Sequence, residues 1–587
     1  MRPLSVTGKR WTFLPHDAGR IGELSAALRC SPLMAQVLVA RGFDRREAEL
    51  LMGGTLKDLH DPSLLPGVDE AARRIAAAIA AGRLITIYGD YDVDGMTATA
   101  ILLRCLKLAG GRVEYFIPHR IEDGYGLNPQ AIRDLHAADA DQLVITVDCG
   151  IASVEEAALA RDLGLELIVT DHHEFADSLP AAAAAVHPRI DPPGSDKPYP
   201  FGELCGAGVA FKLAWAVSKA LHDGSRVSDA MRDFLIEAVG LTALGTVADM
   251  VPLRGENRII VHQGLKALSG RDTPGMRALK AVAQIDAGVR TDDIGFSIAP
   301  RLNAAGRLGQ SRLAVELLTT DDQMRAHELA KYIDDLNDQR RKVERRIAKE
   351  AREQVRESPS LEDAPALVLH QDDWHPGVIG IVAGRVVEEF GKPTFLVALD
   401  KKTGLLRGSG RSGGLADLHA ALSACREHLV TYGGHAAAAG VSLEPSKLDA
   451  FREALAAEIV AQRDGRPIEV PLRIDAEVHL TALDLFAVKD LDRLGPFGQQ
   501  HPKPVFAASG VTLAEDAKRM GGGDRHLSVR LRQGNRTLRA VAFGRGDWAD
   551  ELPAGGGAID ACFAPKINVW RERESVELEL LDWMPAE

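Results

Sequence analysis

Four short apolar runs constrain this chain more than any other feature: LITIYG (84–89), VEYFI (113–117), LVITV (143–147) and LIVT (167–170). Between them lie MTATAILLRCLKLAG (96–110), NPQAIRDLHAA (128–138) and SVEEAALARDLG (153–164), which read as helices, the last opened by a capping box. Buried strands spaced by helices predict βαβ units and a parallel sheet, hence an α/β class. The residues just past these runs carry chemistry. The first runs into DYDVDG, with Asp90, Asp92 and Asp94; the third ends at Asp148; the fourth ends at Asp171, His172 and His173. In an open parallel sheet the carboxyl ends of the strands face one crevice, so these groups are expected to converge.

Asp249, in GTVADMVPL, comes after another apolar run and joins the candidates. Carboxylates this close repel one another unless a cation neutralises them. A mixture of Asp and His suits Mn²⁺ or Mg²⁺ better than a closed thiolate zinc site. There are ligands enough for two ions, and two ions about 3.5–4 Å apart can activate a water and stabilise the leaving oxygen of a phosphoester. DYDVDG also matches the opening of an EF-hand loop. That reading fails because the twelfth position is Ile101 and the flanks are a strand and a helix. A plain acidic turn or a structural histidine explains one cluster at a time, not their shared address.

At about 150 residues per domain, 587 residues suggest three or four domains. The hydrophobic fraction of 46% supports real cores, and 26% charged residues exclude wholesale disorder. A net charge of −13 excludes a chain coated in positive charge but leaves room for a local basic groove. Six cysteines stand apart without any CxxC, which fits a reducing cytoplasm. The first residues carry no apolar leader, and no apolar run reaches about 18 residues, so a soluble cytoplasmic protein is expected.

The layout reads as a helical lead-in (1–55), a catalytic α/β domain (56–318), a long connecting helix (319–360), a smaller α/β domain (361–463) and a C-terminal β-barrel (464–587). Thr320 with Gln323 gives the long helix a capping start, and Leu329, Ile333, Leu336, Val343 and Ile347 recur at helical spacing. Such a helix, about 55 Å long, reads as a rigid spacer between domains or as a solvated helix on one of them. The alanines at 181–185 read as a low-complexity patch.

Further motifs suit phosphate. In GGHAAAAG (433–440), Gly433 and Gly434 let backbone N–H groups approach an anion, and His435 adds a donor. SGRSGG (409–414) offers Ser409 and Arg411; its overlap with G-x-G-x-x-G is discounted because no buried strand precedes it. Arg301, Asn303 and Arg307 in APRLNAAGRLG (299–309) form a basic cluster able to grip a backbone, or a structural turn with surface arginines. In the C-terminal segment Arg530 and Arg532 share strand parity and one face, as on an OB-fold that tracks single strands. Phe506, Phe543 and Trp570 could stack on bases or fill the core.

Together, DYDVDG, VDCG, DHHE and the Asp of GTVADMVPL resemble the DHH phosphoesterase superfamily, and GGHAAAAG resembles the signature of its DHHA1 domain. WHPGVIGIVAGR (374–385), SGRSGG and APRLNAAGRLG narrow the resemblance to its bacterial single-strand-specific DNA exonucleases. The resemblance implies that Asp92, Asp94, Asp148, Asp249 and His172 bind metal. It also implies that His173 faces the reacting phosphate, that Asp90 is a ligand or its neighbour, and that Asp171 orients a histidine. It further implies a DHHA1 domain that holds the 5′ end, a C-terminal OB-fold, 5′→3′ release of 5′-mononucleotides, and a monomer acting in DNA repair and recombination. Single-stranded DNA, single-stranded DNA-binding protein and a helicase are the implied partners, with no membrane. Two rivals stay open: a phosphodiesterase of short oligonucleotides or cyclic dinucleotides, and an inactive DNA-binding scaffold.

Overall fold

The computed structural model describes residues 4–120, 124, 126–175, 178–191, 198–222, 227–270, 273–463, 471–553 and 557–586. Two compact units emerge. One is His60–Val251 with Gln263–Ile468; the other is Met1–Leu59, Pro252–His262 and Glu469–Glu587. No helix among the described residues is long and apolar enough to cross a membrane. All six cysteines are buried thiols.

The lead-in is not helical throughout, because Arg10–Phe13 forms a strand, β1. The expected parallel sheet is present in the first unit. It comprises β2 (Leu84–Tyr88), β3 (Arg112–Phe116), β4 (Leu143–Thr146), β5 (Glu166–Thr170) and β6 (Ala184–Val186), in the order β3-β2-β4-β5-β6. Ile85, Ile87, Leu143, Ile145, Ile168 and Val169 are all buried, as strands covered on both faces require. Within this sheet, the alanine run holds the strand that the apolar pattern did not disclose. The backbone of β6 lies close against Gly67, where a Cβ would stand 2.0 Å from Ala185 O.

Two expected caps differ. Ser153 precedes the helix Val154–Asp162 but makes no side-chain cap. The long helix, Gln323–Glu357, is capped by Asp322 instead of Thr320; its carboxylate accepts from the N–H groups of Met324 (2.8 Å) and Arg325 (3.2 Å). An aspartate there satisfies two orphan donors and also places negative charge at the positive end of the helix. The helix is no bare spacer. Leu329, Ile333 and Leu336 are buried along its first half. Ile347, Ala351 and Val355 share a core with Leu367, Trp374 and Val378 of the smaller lobe. That lobe is a sheet of β7 (Leu367–His370), β8 (Thr394–Leu399), β9 (Leu406–Arg411), β10 (Thr431–Gly434) and β11 (Ala438–Leu443), ordered β10-β11-β9-β8-β7.

The second unit is built on β12 (Pro471–Ile474), which pairs with β1, β13 (Ala476–Glu477), β14 (Phe506–Leu513), β15 (Lys518–Met520), β16 (His526–Gln533), β17 (Arg536–Ala542), β18 (Ala558–Trp570) and β19 (Arg573–Pro585). Strand β14 pairs with both β18 and β16, and β19 links β18 to β17, so five strands close into a barrel, as an OB-fold does. Phe506 and Phe563 fill it, while Phe543 and Trp570 stay 52% and 69% exposed. The core of this unit also takes in Met34, Val37 and Leu38 of the helix Pro32–Ala40. Trp11 Nε1 donates to the buried carboxylate of Asp582 at 2.9 Å. The N-terminal residues thus complete the β unit.

Met34→Ala should cost the β unit about 2–5 kcal/mol. Amide hydrogen exchange in β14 and β18 should speed up accordingly; unchanged exchange there would show that the N-terminal helices do not share its core.

Candidate metal centre

The site is assembled at the carboxyl ends of β2, β4 and β5. Asp92 caps the helix Val93–Leu108 by accepting from Gly95 N at 3.0 Å. Asp94, in the first turn and buried, accepts from Gly206 N (2.6 Å) and Ala207 N (2.9 Å), the first amides of the helix Gly206–Ala220. These two donors fix its carboxylate and oppose its charge with the helix dipole. Gly206 has to be glycine: a Cβ there would stand 2.5 Å from Asp148 Oδ1. Asp148 has φ +62°, a left-handed conformation that costs a non-glycine residue energy and is typical of functional turns. Thr146 Oγ1 steadies that turn by donating to Cys149 O at 2.7 Å.

Asp171 is a backbone organiser. It accepts from Ile151 N (3.0 Å), His172 N (2.7 Å) and His173 N (3.1 Å), and its Oδ1 lies 2.7 Å from His173 Nδ1. Asp249 arrives from elsewhere in the chain, at the end of the helix Asp229–Ala248.

These residues converge. His172 Nε2 lies 3.1 Å from Asp148 Oδ1 and 3.7 Å from both Asp94 Oδ2 and Asp249 Oδ2. Two sets of ligand atoms, Asp94–His172–Asp249 and Asp90–Asp92–Asp148, each fall within 4.8 Å of one another, as does Asp148–Asp171–His172–His173. Among the described residues, Asp90 Oδ1 and His172 Nε2 are buried with no hydrogen-bond partner, which fits coordination of a cation.

The electrostatics agree. Burial and the charge of Asp92 push Asp94 up to about 6 and Asp90 well above the carboxylate range. Burial, then Asp94 and Asp92, drive Asp148 up as well and Asp249 to about 9. Burial and the neighbouring His173 hold His172 down at about 3. Asp171 behaves oppositely: burial would raise it, but the His173 ring and its charge bring it to about 2. His173 is opposed by burial yet raised to about 9 by Asp171. A pocket in which several carboxylates resist ionisation, beside a neutral imidazole, is one that a divalent cation stabilises.

The anion-binding candidates divide. A cleft of about 500 Å³ is lined by Arg120, Pro376, Gly377, Ser409, Tyr432 and Gly433, which unites both lobes of this unit. Arg411 Nη1 donates to Ser409 Oγ (3.2 Å) and to Gly410 O (2.7 Å). Arg307 donates to Gly377 O at 2.8 Å; burial and the charges of Arg120, Arg340 and Arg411 push it down to about 9. Asn303 is half-buried one turn earlier on the helix Ala299–Arg307. Gly434 has φ +126°, and His435 beyond it is exposed.

Arg301 leaves the proposed cluster. It is committed to Asp334 at 2.8 Å, Ser297 O and Val282 O, because the long helix presents an acid to it. Arg120 escapes the sequence reading, since it lies in no motif; Arg340, also near Arg307, is held by Glu344 at 2.7 Å and Asn337 at 2.6 Å. In the other unit Arg530 and Arg532 are both exposed on one barrel face, Arg530 near Glu515 at 3.3 Å.

Comparison with known proteins agrees with the three parts. The DHH family, N-terminal domain, matches residues 84–246; the DHHA1 domain matches 363–461; the RecJ OB domain matches 474–582. The single-stranded-DNA-specific exonuclease RecJ of Bacillus subtilis is 37% identical over 98% of this chain and 70% of its own. That of Escherichia coli is 34% identical over 93% of this chain and 95% of its own. The crystal structure of RecJ from Thermus thermophilus in complex with Mn²⁺ superposes with a TM-score of 0.82 at 32% identity, covering 98% of this chain and 80% of that one. A second Thermus structure, in complex with Mg²⁺, gives 0.76 at 31% over 98% and 79%. With its acid and imidazole pocket, its three matched domains and this full-length likeness, the chain belongs to the RecJ family of single-stranded-DNA-specific exonucleases.

Proposed function

We propose that this protein is a single-stranded-DNA-specific 5′→3′ exonuclease that releases 5′-mononucleotides with the help of two divalent cations, Mn²⁺ or Mg²⁺. The observation that carries the reading is the pair of adjacent ligand sets, Asp94–His172–Asp249 and Asp90–Asp92–Asp148, in one buried pocket. Bound there, divalent cations supply an activated water and charge neutralisation for an in-line displacement.

The remaining chemistry belongs to the chain. Asp94, Asp148 and Asp249 hold their negative charge in a dry pocket only when it is balanced, so the site is built for cations. With His173 Nδ1 committed to Asp171, a phosphate oxygen is met by His173 Nε2, and the raised affinity of that ring for its proton makes it a donor. Arg120, Ser409 and Gly433 line the cleft, and Arg411 reaches it through its hydrogen bond to Ser409; together with Gly434 they are proposed to hold the 5′ phosphate, with Asn303, Arg307 and His435 in support. That assignment sets the polarity, because an end held there leaves one linkage within reach of the cations. The barrel face bearing Arg530 and Arg532 is proposed to track the rest of the strand. Work in the cytoplasm as a monomer, in repair and recombination and alongside single-stranded DNA-binding protein and a helicase, is proposed from family resemblance. The complete acid set argues against an inactive scaffold, and the added OB domain argues against a dinucleotide phosphodiesterase.

Asp148→Asn keeps a residue that tolerates the left-handed turn and removes one charge. It should lower turnover of single strands by at least about 100-fold with DNA binding retained; full activity would exclude Asp148 from the site. With strands labelled at either end, Mn²⁺ should release 5′ label first and chelator should stop release; immediate 3′ release would contradict the polarity. Arg411→Met should weaken use of 5′-phosphorylated strands by about tenfold or more, read as kcat/KM, and leave Mn²⁺ affinity unaltered.

A further inference from the structure

The turn that carries His172 and His173 is held from two sides. Asp171 takes its amides. Its carbonyls are taken by a segment with no assigned role, His187–Pro188–Arg189. The topology brings them together: β6 runs parallel to β5 with Thr170 opposite Val186, and Asp171 N donates to Val186 O at 3.2 Å, so the residue after β6 lands beside the turn. His187 is fully buried. Arg189 N donates to His187 Nδ1 at 3.1 Å, which makes Nδ1 the acceptor and puts the ring proton on Nε2. His187 Nε2 then donates to His173 O at 2.9 Å. Phe175 packs against the ring in a T-shaped pair, with centroids 5.1 Å apart and planes at 86°. Arg189 Nη2 donates to His172 O at 2.6 Å, and Nη1 pairs with Glu174.

We propose that His187 and Arg189 are positioning residues that fix the His172–His173 turn through its carbonyls and so set the affinity of the metal pocket. The inference rests on the metal-site reading of the proposed function. Neither side chain belongs to the sets of candidate ligand atoms. Backbone amides tied to Asp171 still allow the turn to tilt; carbonyls tied on the opposite side remove that freedom. A ligand imidazole held in place in advance loses less entropy when it binds a cation.

The test is direct Mn²⁺ titration of the full-length protein, reading unbound Mn²⁺ by electron paramagnetic resonance, beside kcat and KM for single-stranded DNA. Arg189→Met keeps the aliphatic stem of a side chain 37% exposed, so the variant is expected to fold, which its circular dichroism checks. It should weaken Mn²⁺ binding by about tenfold or more and lower kcat at sub-saturating Mn²⁺, with KM for DNA unchanged. His187→Ala should do the same, and His187→Gln, whose amide can still donate to His173 O, should recover most of the affinity. Wild-type Mn²⁺ affinity in Arg189→Met would overturn the proposal, as would equal losses in the folded Ala and Gln variants. Absence of Mn²⁺ binding by the unaltered protein would instead overturn the metal-site reading beneath it.

Discussion

Mutual repulsion among buried carboxylates is the constraint on which the rest of this structure depends. Asp90, Asp94 and Asp148 are each nearly inaccessible to water; Asp94 and Asp148 meet Asp249 around the His172 imidazole, and Asp90 groups with Asp92 and Asp148. Unbalanced negative charge in such a place costs several kcal/mol per group. The fold offsets part of that cost with fixed dipoles: the first amides of the helix Gly206–Ala220 point at Asp94, and Gly95 N points at Asp92. The remainder calls for cations. Fold and function are therefore one problem here, since the parallel sheet that gathers the acids also sets the charge that bound ions neutralise.

The surroundings of the pocket obey the same logic with the opposite sign. Burial, with the charges of Arg120, Arg340 and Arg411, depresses the proton affinity of Arg307; Arg340 is offset by Glu344 at 2.7 Å, so the remaining positive charge is what an anion would relieve. Under the proposed function, acids that hold cations would lie beside arginines that hold phosphate, as hydrolysis of a phosphodiester requires. The long helix contributes to both lobes of this unit, burying Leu329 and Ile333 at one end and Ile347 and Val355 at the other, so their spacing is set by one rigid element.

Much of this is legible in the residues. Strands β2 to β5 stand out because each is a short apolar run, and the acids stand out because most of them end such a run. The features that escape notice depend on partners distant in sequence. Strand β6 is alanine-rich and reads as featureless until its parallel pairing with β5 places it. His187 gains meaning only from that pairing. Arg301 looks like an anion ligand because Asp334, thirty-three residues away, is invisible to local reasoning. Ser153 and Thr320 fit capping patterns, but caps depend on backbone angles that the pattern does not fix. The packing of residues 1–59 with the C-terminal β strands rests on contacts such as Trp11 with Asp582, which no periodicity foretells.

The central claim is that residues spread from Asp90 to Asp249 hold two cations in contact with one another's field. Electron paramagnetic resonance of the protein with two equivalents of Mn²⁺ addresses it most directly. The account predicts a spin-coupled pair, as expected for ions about 3.5–4 Å apart, and loss of the coupling in Asp148→Asn. Two uncoupled Mn²⁺ signals, or a coupled pair that persists without the Asp148 carboxylate, would contradict it.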